Sequence, residues 1–201
     1  MKRRAFLKTS SLLSLSFLAS PLIKRNFLEG NSYFKNKISL DVDKILDLHS
    51  SLEYKIISRV GTKMSDGLLV PGKPDGMASF NNKGKTVLVR NHELRKGHGI
   101  KSSAFLNGTR EIKALGSKHY DVSAFGGTTN LVYDEKNKRV ESEFLSLSGT
   151  EANCSGGSTP WGTWLTCEES VNKKSKKEKS HGYVFEVYPN DKINLQKAKP
   201  L

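Results

Sequence analysis

Hydrophobic and polar residues alternate along most of the chain after residue 50, and glycine- or proline-containing segments separate the apolar runs. Alternation with a period of two predicts short, half-buried β-strands. One segment, residues 42–48, instead has the apolar spacing of a short helix. The pattern therefore predicts an all-β fold, with strands at residues 54–60, 86–91, 130–134, 139–147, 164–169 and 183–188.

Two pairs of these predicted strands are expected to form hairpins. The strands at 130–134 and 139–147 flank a short turn, and the last two strands flank a lysine-rich loop. Further turns are predicted from glycine and proline at residues 71–72, 74–76, 126–127 and 156–157. Short strands joined by such turns are typical of a sandwich, a barrel or a propeller, and the residues after position 23 suffice for about four propeller blades.

The beginning of the chain has the pattern of an export signal. Arg3 and Arg4 form a twin-arginine pair, followed by Phe-Leu-Lys and then by an apolar, serine-rich stretch at residues 12–23. This stretch is too short and too polar for a stable membrane span, which needs about 20 predominantly apolar residues. A basic segment followed by a short apolar one predicts a cleavable signal. An ordinary secretory signal or a basic tail is the alternative interpretation.

These features predict three regions in the chain. Residues 1–23 form a twin-arginine signal peptide, residues 24–50 a linker with the short helix, and residues 51–201 the β domain. The twin-arginine export machinery would then be a partner, and the protein would be periplasmic or secreted. That route carries folded proteins, often with a cofactor already bound, so a metal site would be compatible with it.

The positive charge of the chain is unevenly distributed. Of the net charge of +13, six charges come from residues 1–25 and a net four from residues 173–179, which leaves three for the rest. A nucleic-acid-binding domain would spread its charge over one folded face. We therefore predict no nucleic-acid partner, and the lysine run is expected to be a solvated loop.

Residues 151–169 form the chemically richest stretch of the sequence. They combine a glycine pair and two tryptophans with Cys154, Cys167, Glu168 and Glu169. A stable fold does not require this mixture. A metal or oxyanion site does use it, because such a site needs oxygen ligands, a sulfur ligand and a backbone that allows close approach.

The two cysteines, Cys154 and Cys167, allow two interpretations. A disulfide between them is feasible in an exported protein. However, chains that fold before export first meet a reducing cytoplasm, and the alternation over residues 164–169 makes Cys167 resemble a small buried hydrophobe beside Leu165. Cys154 lies in a glycine-rich turn beside Asn153, where a ligand role is the other interpretation.

A second polar cluster ends the predicted strand at residues 86–91. Asn91 and Glu93 are expected on one face of this strand, and Arg90 and His92 on the other. Side chains at a strand end can reach a ligand while the sheet fixes their backbone. A surface salt bridge at a polar strand terminus is the simpler explanation. Asp75 is equally well explained by an Asx turn.

The order of the motifs carries a family resemblance. After the twin-arginine leader come PDGM at 74–77, LVRNHE at 88–93, GGTTNLVYD at 126–134, GTEANCSGGSTPWGTWLTCEE at 149–169 and HGYVFEV at 181–187. This combination resembles the PhoX-type alkaline phosphatase family of bacterial exported phosphatases. The resemblance implies a β-propeller that binds Fe³⁺ and Ca²⁺ at the mouth of its central channel and hydrolyses phosphate monoesters. Phosphate ester small molecules would be the substrates.

The resemblance also implies roles for individual residues. Cys154 matches the cysteine that bridges iron, Glu93 matches an acidic ligand, and at least one of Glu168 and Glu169 should face the metals. Weaker candidates for positioning these ligands are Asn91, His92, Asn153 and Asp75. Which ligand binds which metal is left open by the motifs, and no catalytic residue is assigned.

Relatives in this family are longer, and their later blades contribute further acidic and basic residues. The chain is therefore expected to be an N-terminal portion, about the first half of a six-bladed propeller, and to be of uncertain activity alone. Two other functions remain compatible with the sequence. One is a calcium-dependent propeller lactonase or esterase, which needs no cysteine, and the other is a non-catalytic exported propeller that binds a polymer or partner.

Overall fold

The structure is a computed structural model that describes residues 38–105, 109–171 and 179–201. The predicted signal peptide at residues 1–23, with Arg3 and Arg4, and the first part of the predicted linker lie outside the described residues. The chain divides into two units, Met1–Lys55 and Ile56–Leu201. Within the described residues, no helix has the length and apolar composition needed to cross a bilayer.

The described part of the first unit contains one small antiparallel pair. Strand β1, Ile38–Ser39, pairs with β2, Leu48–His49. The segment between them, where a short helix is predicted, forms turns and bends instead, so that prediction is wrong.

The side chain of Asp41 explains why this segment is not helical. Its carboxylate accepts hydrogen bonds from the backbone N–H groups of Ile45 and Leu46, at 2.8 and 3.2 Å, and from the hydroxyl of Tyr54 at 2.5 Å. An aspartate that takes up backbone N–H groups in this way competes with the helical hydrogen-bond pattern. The hydroxyl of Tyr54 and these N–H groups lower the pKa of Asp41 to about 2.

The second unit begins with a four-stranded antiparallel sheet whose strands follow one another in chain order. Its strands are β3 (Pro74–Asn82), β4 (Lys85–His92), β5 (Gly126–Asp134) and β6 (Arg139–Thr150). Strands β4, β5 and β6 contain three of the predicted strands. Pairing of Asp134 with Arg139 confirms the predicted hairpin between β5 and β6.

A three-stranded antiparallel sheet follows, again in chain order. Its strands are β7 (Asn153–Ser158), β8 (Trp164–Glu168) and β9 (Val184–Val187). Pairing of Cys167 with Val184 confirms that the last two predicted strands are antiparallel neighbours. Residues 172–178 of the lysine-rich loop between them lie outside the described residues. The structure is therefore mostly β, as predicted, and its sheets are small and open.

The strand prediction at residues 54–60 is wrong, because residues 54–59 join no sheet and residue 60 lies in a turn. The backbone just beyond this segment forms a local loop. In it, the N–H of Gly61 donates to the carbonyl oxygen of Val70, and the N–H of Val70 donates to that of Thr62, both at 2.9 Å. Alternating apolar side chains favour a strand only where a partner backbone is present. One α-helix, α1 (Thr109–Leu115), and three 3₁₀ segments, Lys96–His98, Ile100–Ser102 and Gly116–Lys118, were not predicted.

Apolar side chains from both sheets pack into a common core. Val89 of β4 and Leu147 of β6 join Trp164 of β8 with Phe185 and Val187 of β9, all at most 4% exposed. Full burial of one such side chain stabilises the fold by about 1.5–3 kcal/mol. This core fixes the end of β4 against the second sheet, which is where the polar motif residues lie.

Candidate functional site

The two polar clusters found in the sequence meet in the structure, and Asn91 joins them. The Nδ2 group of Asn91 donates to the carbonyl oxygens of Cys154 and Ser155, at 3.2 and 3.0 Å. Its Oδ1 atom accepts from Nε1 of Trp164 at 2.9 Å. Asn91 is fully buried, so β4 is held against β7 and β8 by three hydrogen bonds shielded from water.

Strand β3 passes directly beside Cys154. A Cβ atom on Gly76 would lie 2.6 Å from the carbonyl oxygen of Cys154 and 3.3 Å from Nδ2 of Asn91. Only glycine allows this approach without a shift of the backbone. The glycine of the PDGM motif therefore serves close packing and not the predicted turn, while the neighbouring Asp75 is exposed.

Asn153 is the buried residue that begins β7. Its Oδ1 atom accepts from the hydroxyl of Thr150 at 2.5 Å, and its Nδ2 group donates to the hydroxyl of Thr166 at 3.0 Å. Ala152, just before it, adopts a left-handed conformation with φ of 53°. Asn153 thus fixes the entry of the chain into β7 and the position of the following cysteine, Cys154.

Cys154 and Cys167 are both free and half-buried. The predicted alternation in β8 is correct, but its buried face carries Trp164, Thr166 and Glu168. Cys167 therefore lies on the more open face, and its predicted role as a buried hydrophobe is wrong. Partial burial and the neighbouring Cys154 both raise the pKa of the Cys167 thiol.

Glu168 is held by donors on both of its carboxylate oxygens. Oε1 accepts from the backbone N–H of Glu151 at 2.8 Å and from Nδ1 of His181 at 2.7 Å. Oε2 accepts from the backbone N–H groups of Gly182 and Tyr183, at 2.7 and 3.1 Å. With four donors in place, Glu168 is an internal anchor for the end of β8.

His181 extends this buried network to a second carboxylate. Its Nε2 atom lies 3.3 Å from Oδ2 of Asp121, and the three side chains of Asp121, Glu168 and His181 are at most 1% exposed. Burial alone would lower the pKa of His181, but the hydrogen bonds and charges of the two carboxylates raise it overall. Sequence reasoning assigned no role to Asp121 or to His181, the first residue of the HGYVFEV motif, because their contacts with one another and with Glu168 depend on the fold.

Glu93 and Glu169 lie on either side of one arginine at the rim of the site. The Nη2 atom of Arg95 is 2.7 Å from Oε1 of Glu93 and 2.5 Å from Oε2 of Glu169, while Nη1 donates to the hydroxyl of Ser170 at 3.0 Å. The structure therefore brings together two of the predicted acidic ligands. Arg95 was not predicted, although its spacing of two residues from Glu93 is the expected signal for a same-face ion pair on an extended chain.

The ring of His92 is fully engaged in hydrogen bonds. Nδ1 lies 3.0 Å from the carbonyl oxygen of Gly72, which can only accept, so this nitrogen carries the proton. Nε2 then accepts from the hydroxyl of Thr129 at 3.0 Å. Burial and the nearby charge of Arg90 lower the pKa of His92 to about 3, so the ring is neutral at physiological pH.

On the same face of β4 as His92, Arg90 forms a mostly buried ion pair. Its Nη2 atom lies 2.8 Å from Oε1 of Glu143, and the two side chains are 16% and 10% exposed. The hydroxyl of Ser58 completes this group, as it donates to Glu143 at 2.7 Å and accepts from Arg90 at 3.0 Å. Arg90 is therefore a structural residue that ties β4 to β6.

Two backbone hydrogen bonds link the segments that carry the thiol of Cys154 and the carboxylates of Glu93 and Glu169. The N–H of Ala152 donates to the carbonyl oxygen of Leu94, and the N–H of Glu169 donates to that of Ala152, both at 2.9 Å. Within residues 38–105, 109–171 and 179–201, no three histidine, cysteine, aspartate or glutamate side chains are arranged to hold a metal ion. The donor types fit iron and calcium, but Arg95 pairs with both of the carboxylates.

Comparison with known proteins agrees with the motif order. The family model described as alkaline phosphatase PhoX matches residues 34–201, which include both polar clusters and all strands of both sheets. No curated protein and no solved structure matches the chain. Because the family model covers most of its length, the chain belongs to the PhoX alkaline phosphatase family.

Proposed function

We propose that this chain serves the metal-dependent hydrolysis of phosphate monoesters. Membership of the PhoX alkaline phosphatase family supports phosphatase chemistry. The observation that carries the proposal is the buried contact of Asn91 with Cys154 and Trp164, since it joins the two motifs that hold the candidate ligands. Small phosphate esters are the proposed substrates.

The proposed metal ligands are Cys154, Glu93 and Glu169. A thiolate suits iron and carboxylate oxygens suit both Fe³⁺ and Ca²⁺, so the donor set has the right chemistry for an iron–calcium centre. These three residues are fewer than such a centre needs, and we propose that other residues of the protein complete it. Glu168, whose oxygens already accept four hydrogen bonds, would then position Glu169 instead of binding a metal.

The bound metals would supply Lewis acidity toward the phosphoryl oxygens and acidify a water molecule. The residues of this chain would prepare the site for them. Asn91 and Asn153 hold the backbone on both sides of Cys154, so its thiol is presented in a fixed direction. Arg95 keeps Glu93 and Glu169 close together, and it would release them to the metal.

We propose that the two sheets are blades of a β-propeller. Each sheet is an antiparallel meander in chain order, as a propeller blade is. Their first strands, β3 and β7, meet where Gly76 contacts the carbonyl group of Cys154. First strands line the central channel of a propeller, so this arrangement would place Cys154 at the channel wall.

Export through the twin-arginine route remains part of the proposal. It rests on the sequence pattern around Arg3 and Arg4, and it divides the chain into a signal peptide at 1–23, a linker at 24–50 and the phosphatase domain at 51–201. The protein would act in the periplasm or outside the cell, where phosphate esters are available as substrates.

The proposal is tested by metal analysis of the purified protein together with hydrolysis of a chromogenic phosphate monoester. Metal content is measured first, because it does not depend on a complete catalytic site. Cys154→Ser is expected to lose iron, whereas the matched variant Cys167→Ser keeps it.

Each alternative has a distinct outcome. A Cys154→Ser variant with unchanged metal content and activity would support a calcium-dependent lactonase or esterase. Ligand capture without turnover, unaffected by a chelator, would support a binding protein. Absence of both iron and calcium from the wild-type protein would contradict the phosphatase proposal.

A further inference from the structure

Cys154 and Cys167 face each other across two neighbouring antiparallel strands. Asn153 pairs with Glu168, and Gly156 pairs with Thr166. Between these pairs, Cys154 and Ser155 of β7 lie opposite one residue of β8, which is Cys167. This is a β-bulge, in which two residues of one strand oppose one residue of its partner.

The two thiols also lie on the same face of the sheet. Asn153 and Thr166 form a side-chain hydrogen bond on the buried face. Since consecutive residues of a strand point to opposite faces, their neighbours Cys154 and Cys167 point to the more open face. Both cysteines are half-buried, so a small reagent can reach them.

We propose that Cys154 and Cys167 form a reversible cross-strand dithiol, which small-molecule disulfides oxidise to an internal disulfide. Opposed residues of antiparallel strands have Cβ atoms about 4.5–5.5 Å apart. A disulfide needs about 3.5–4.5 Å, so a modest local closure suffices. The bulge at Cys154 and Ser155 interrupts the regular pairing of β7 with β8, so it is the part of the strand best able to supply that movement.

The reaction is a thiol–disulfide exchange in two steps. The thiolate of one cysteine attacks a sulfur of the small disulfide, which forms a mixed disulfide and releases one small thiol. The second cysteine then attacks the protein sulfur of the mixed disulfide, which forms the Cys154–Cys167 bond and releases the second small thiol. The protein loses two protons and two electrons, and the small disulfide gains them to become two small thiols.

The disulfide would also control the proposed metal site, and this consequence rests on the proposed function. A sulfur held in a disulfide is no longer a thiolate, so Cys154 could not bind iron. An exported protein meets an oxidising environment, where a cysteine pair without bound metal would close. Iron bound before export would therefore protect the pair, and loss of iron would allow its oxidation.

The test is incubation of the metal-free full chain with oxidised glutathione, followed by intact mass measurement and thiol titration. The expected product has no free thiol, carries no glutathione and is monomeric in non-reducing electrophoresis. Cys154→Ser and Cys167→Ser are the matched controls. Each has a single thiol, so each is expected to retain one bound glutathione.

Other results would overturn the inference. The first is a wild-type protein that carries two glutathiones. The second is a wild-type protein that stays reduced while the single-cysteine variants react, and the third is a wild-type protein that forms disulfide-linked dimers. Reduced and oxidised protein are then compared for iron binding, and only the reduced form is expected to bind iron. If neither form binds iron while the internal disulfide forms, the proposed function fails and the dithiol inference stands.

Discussion

Asn91 shows how a single amide can hold a site together. Its three hydrogen bonds join it to Cys154, Ser155 and Trp164, and the buried indole N–H of Trp164 donates to Oδ1 of Asn91. Replacement by alanine would leave the indole N–H buried and unpaired, which costs about 1–3 kcal/mol for one such group. The role of Asn91 is thus to support the backbone around Cys154.

We expect Asn91→Ala to lower the free energy of unfolding by about 2–4 kcal/mol, because several buried hydrogen bonds are lost together. Urea unfolding followed by tryptophan fluorescence measures this change. The matched control is Asn82→Ala, since Asn82 is half-buried and donates one hydrogen bond of 3.3 Å to Pro189. Equal stability losses in the two variants would contradict the role assigned to Asn91.

His92 should make stability depend on pH in a defined direction. Its pKa is lowered from 6.5 to about 3 in the folded protein. Below pH 6.5 the unfolded chain takes up a proton at this ring and the folded chain does not. Stability is therefore complete above pH 6.5 and falls as the pH drops toward 3, by up to about 1.4 kcal/mol for each pH unit.

The measurement is urea unfolding at pH steps between 7 and about 4. His92→Gln is expected to show a shallower loss of stability over this range than the wild-type protein, since it lacks the titrating ring. His98→Gln, at an exposed position, is expected to keep the wild-type slope because His92 is still present. Identical slopes for wild type and His92→Gln would show that the ring is not buried in its neutral form.

At the level of single residues, the sequence predicted the motif positions better than their roles. Cys154 and the acidic residues Glu93 and Glu169 do lie on adjacent segments. Glu168 is buried and held by hydrogen bonds. Alternation alone could not distinguish this anchoring role from a role in metal binding. The partners His181 and Arg95 depend on long-range contacts or local side-chain geometry, and no periodic pattern in one sequence records these.

Among the secondary-structure elements, the glycines of β7 show why two strands were missed. A Cβ atom on Gly156 would lie 2.1 Å from the carbonyl oxygen of Leu165 and 2.6 Å from a ring carbon of Trp164. The glycine is required by the close contact between β7 and β8. Glycine and proline in β3 and β7 instead suggested turns, since local sequence does not distinguish a turn from a tightly packed strand.

Gly156→Ala and Gly157→Ala form a matched pair that tests this interpretation. The first variant should lose about 1–3 kcal/mol of stability, because the added methyl group forces β7 away from β8. The second should change stability by less than about 0.5 kcal/mol, since a Cβ atom on Gly157 would meet nothing within 4 Å. Thermal unfolding of both variants decides the question, and a Gly156→Ala variant as stable as Gly157→Ala would refute the close contact.

For the whole molecule, the sequence predicted the class of fold but not its arrangement. Alternation and turns predicted the strands β4, β5 and β6 and the hairpin between β5 and β6, and the order of the motifs identified the family. The contact of β3 with β7 could not be predicted, because it depends on how the two sheets pack. Motif order is informative about family because a shared site constrains residues that are far apart in the chain.

The distribution of burial leads to a last prediction for the whole chain. None of residues 38–55 is buried, and Leu40 and Val42 are 80% and 93% exposed. The buried core residues belong to the second unit, Ile56–Leu201. We therefore expect a variant that begins at Ile56 to unfold cooperatively, with a free energy of unfolding within about 1 kcal/mol of the full chain.

The control for this deletion is a variant that begins at Ile38 and so retains the described part of the first unit. Both variants and the full chain are compared by urea unfolding and by their circular dichroism. If only the variant beginning at Ile56 loses cooperative unfolding, residues 38–55 contribute stability that their exposure does not suggest. If both shortened proteins match the full chain, the stability of the candidate site comes from the second unit, because Ile56–Leu201 contains the buried core residues and the hydrogen bonds assigned to Asn91, Asn153 and Glu168.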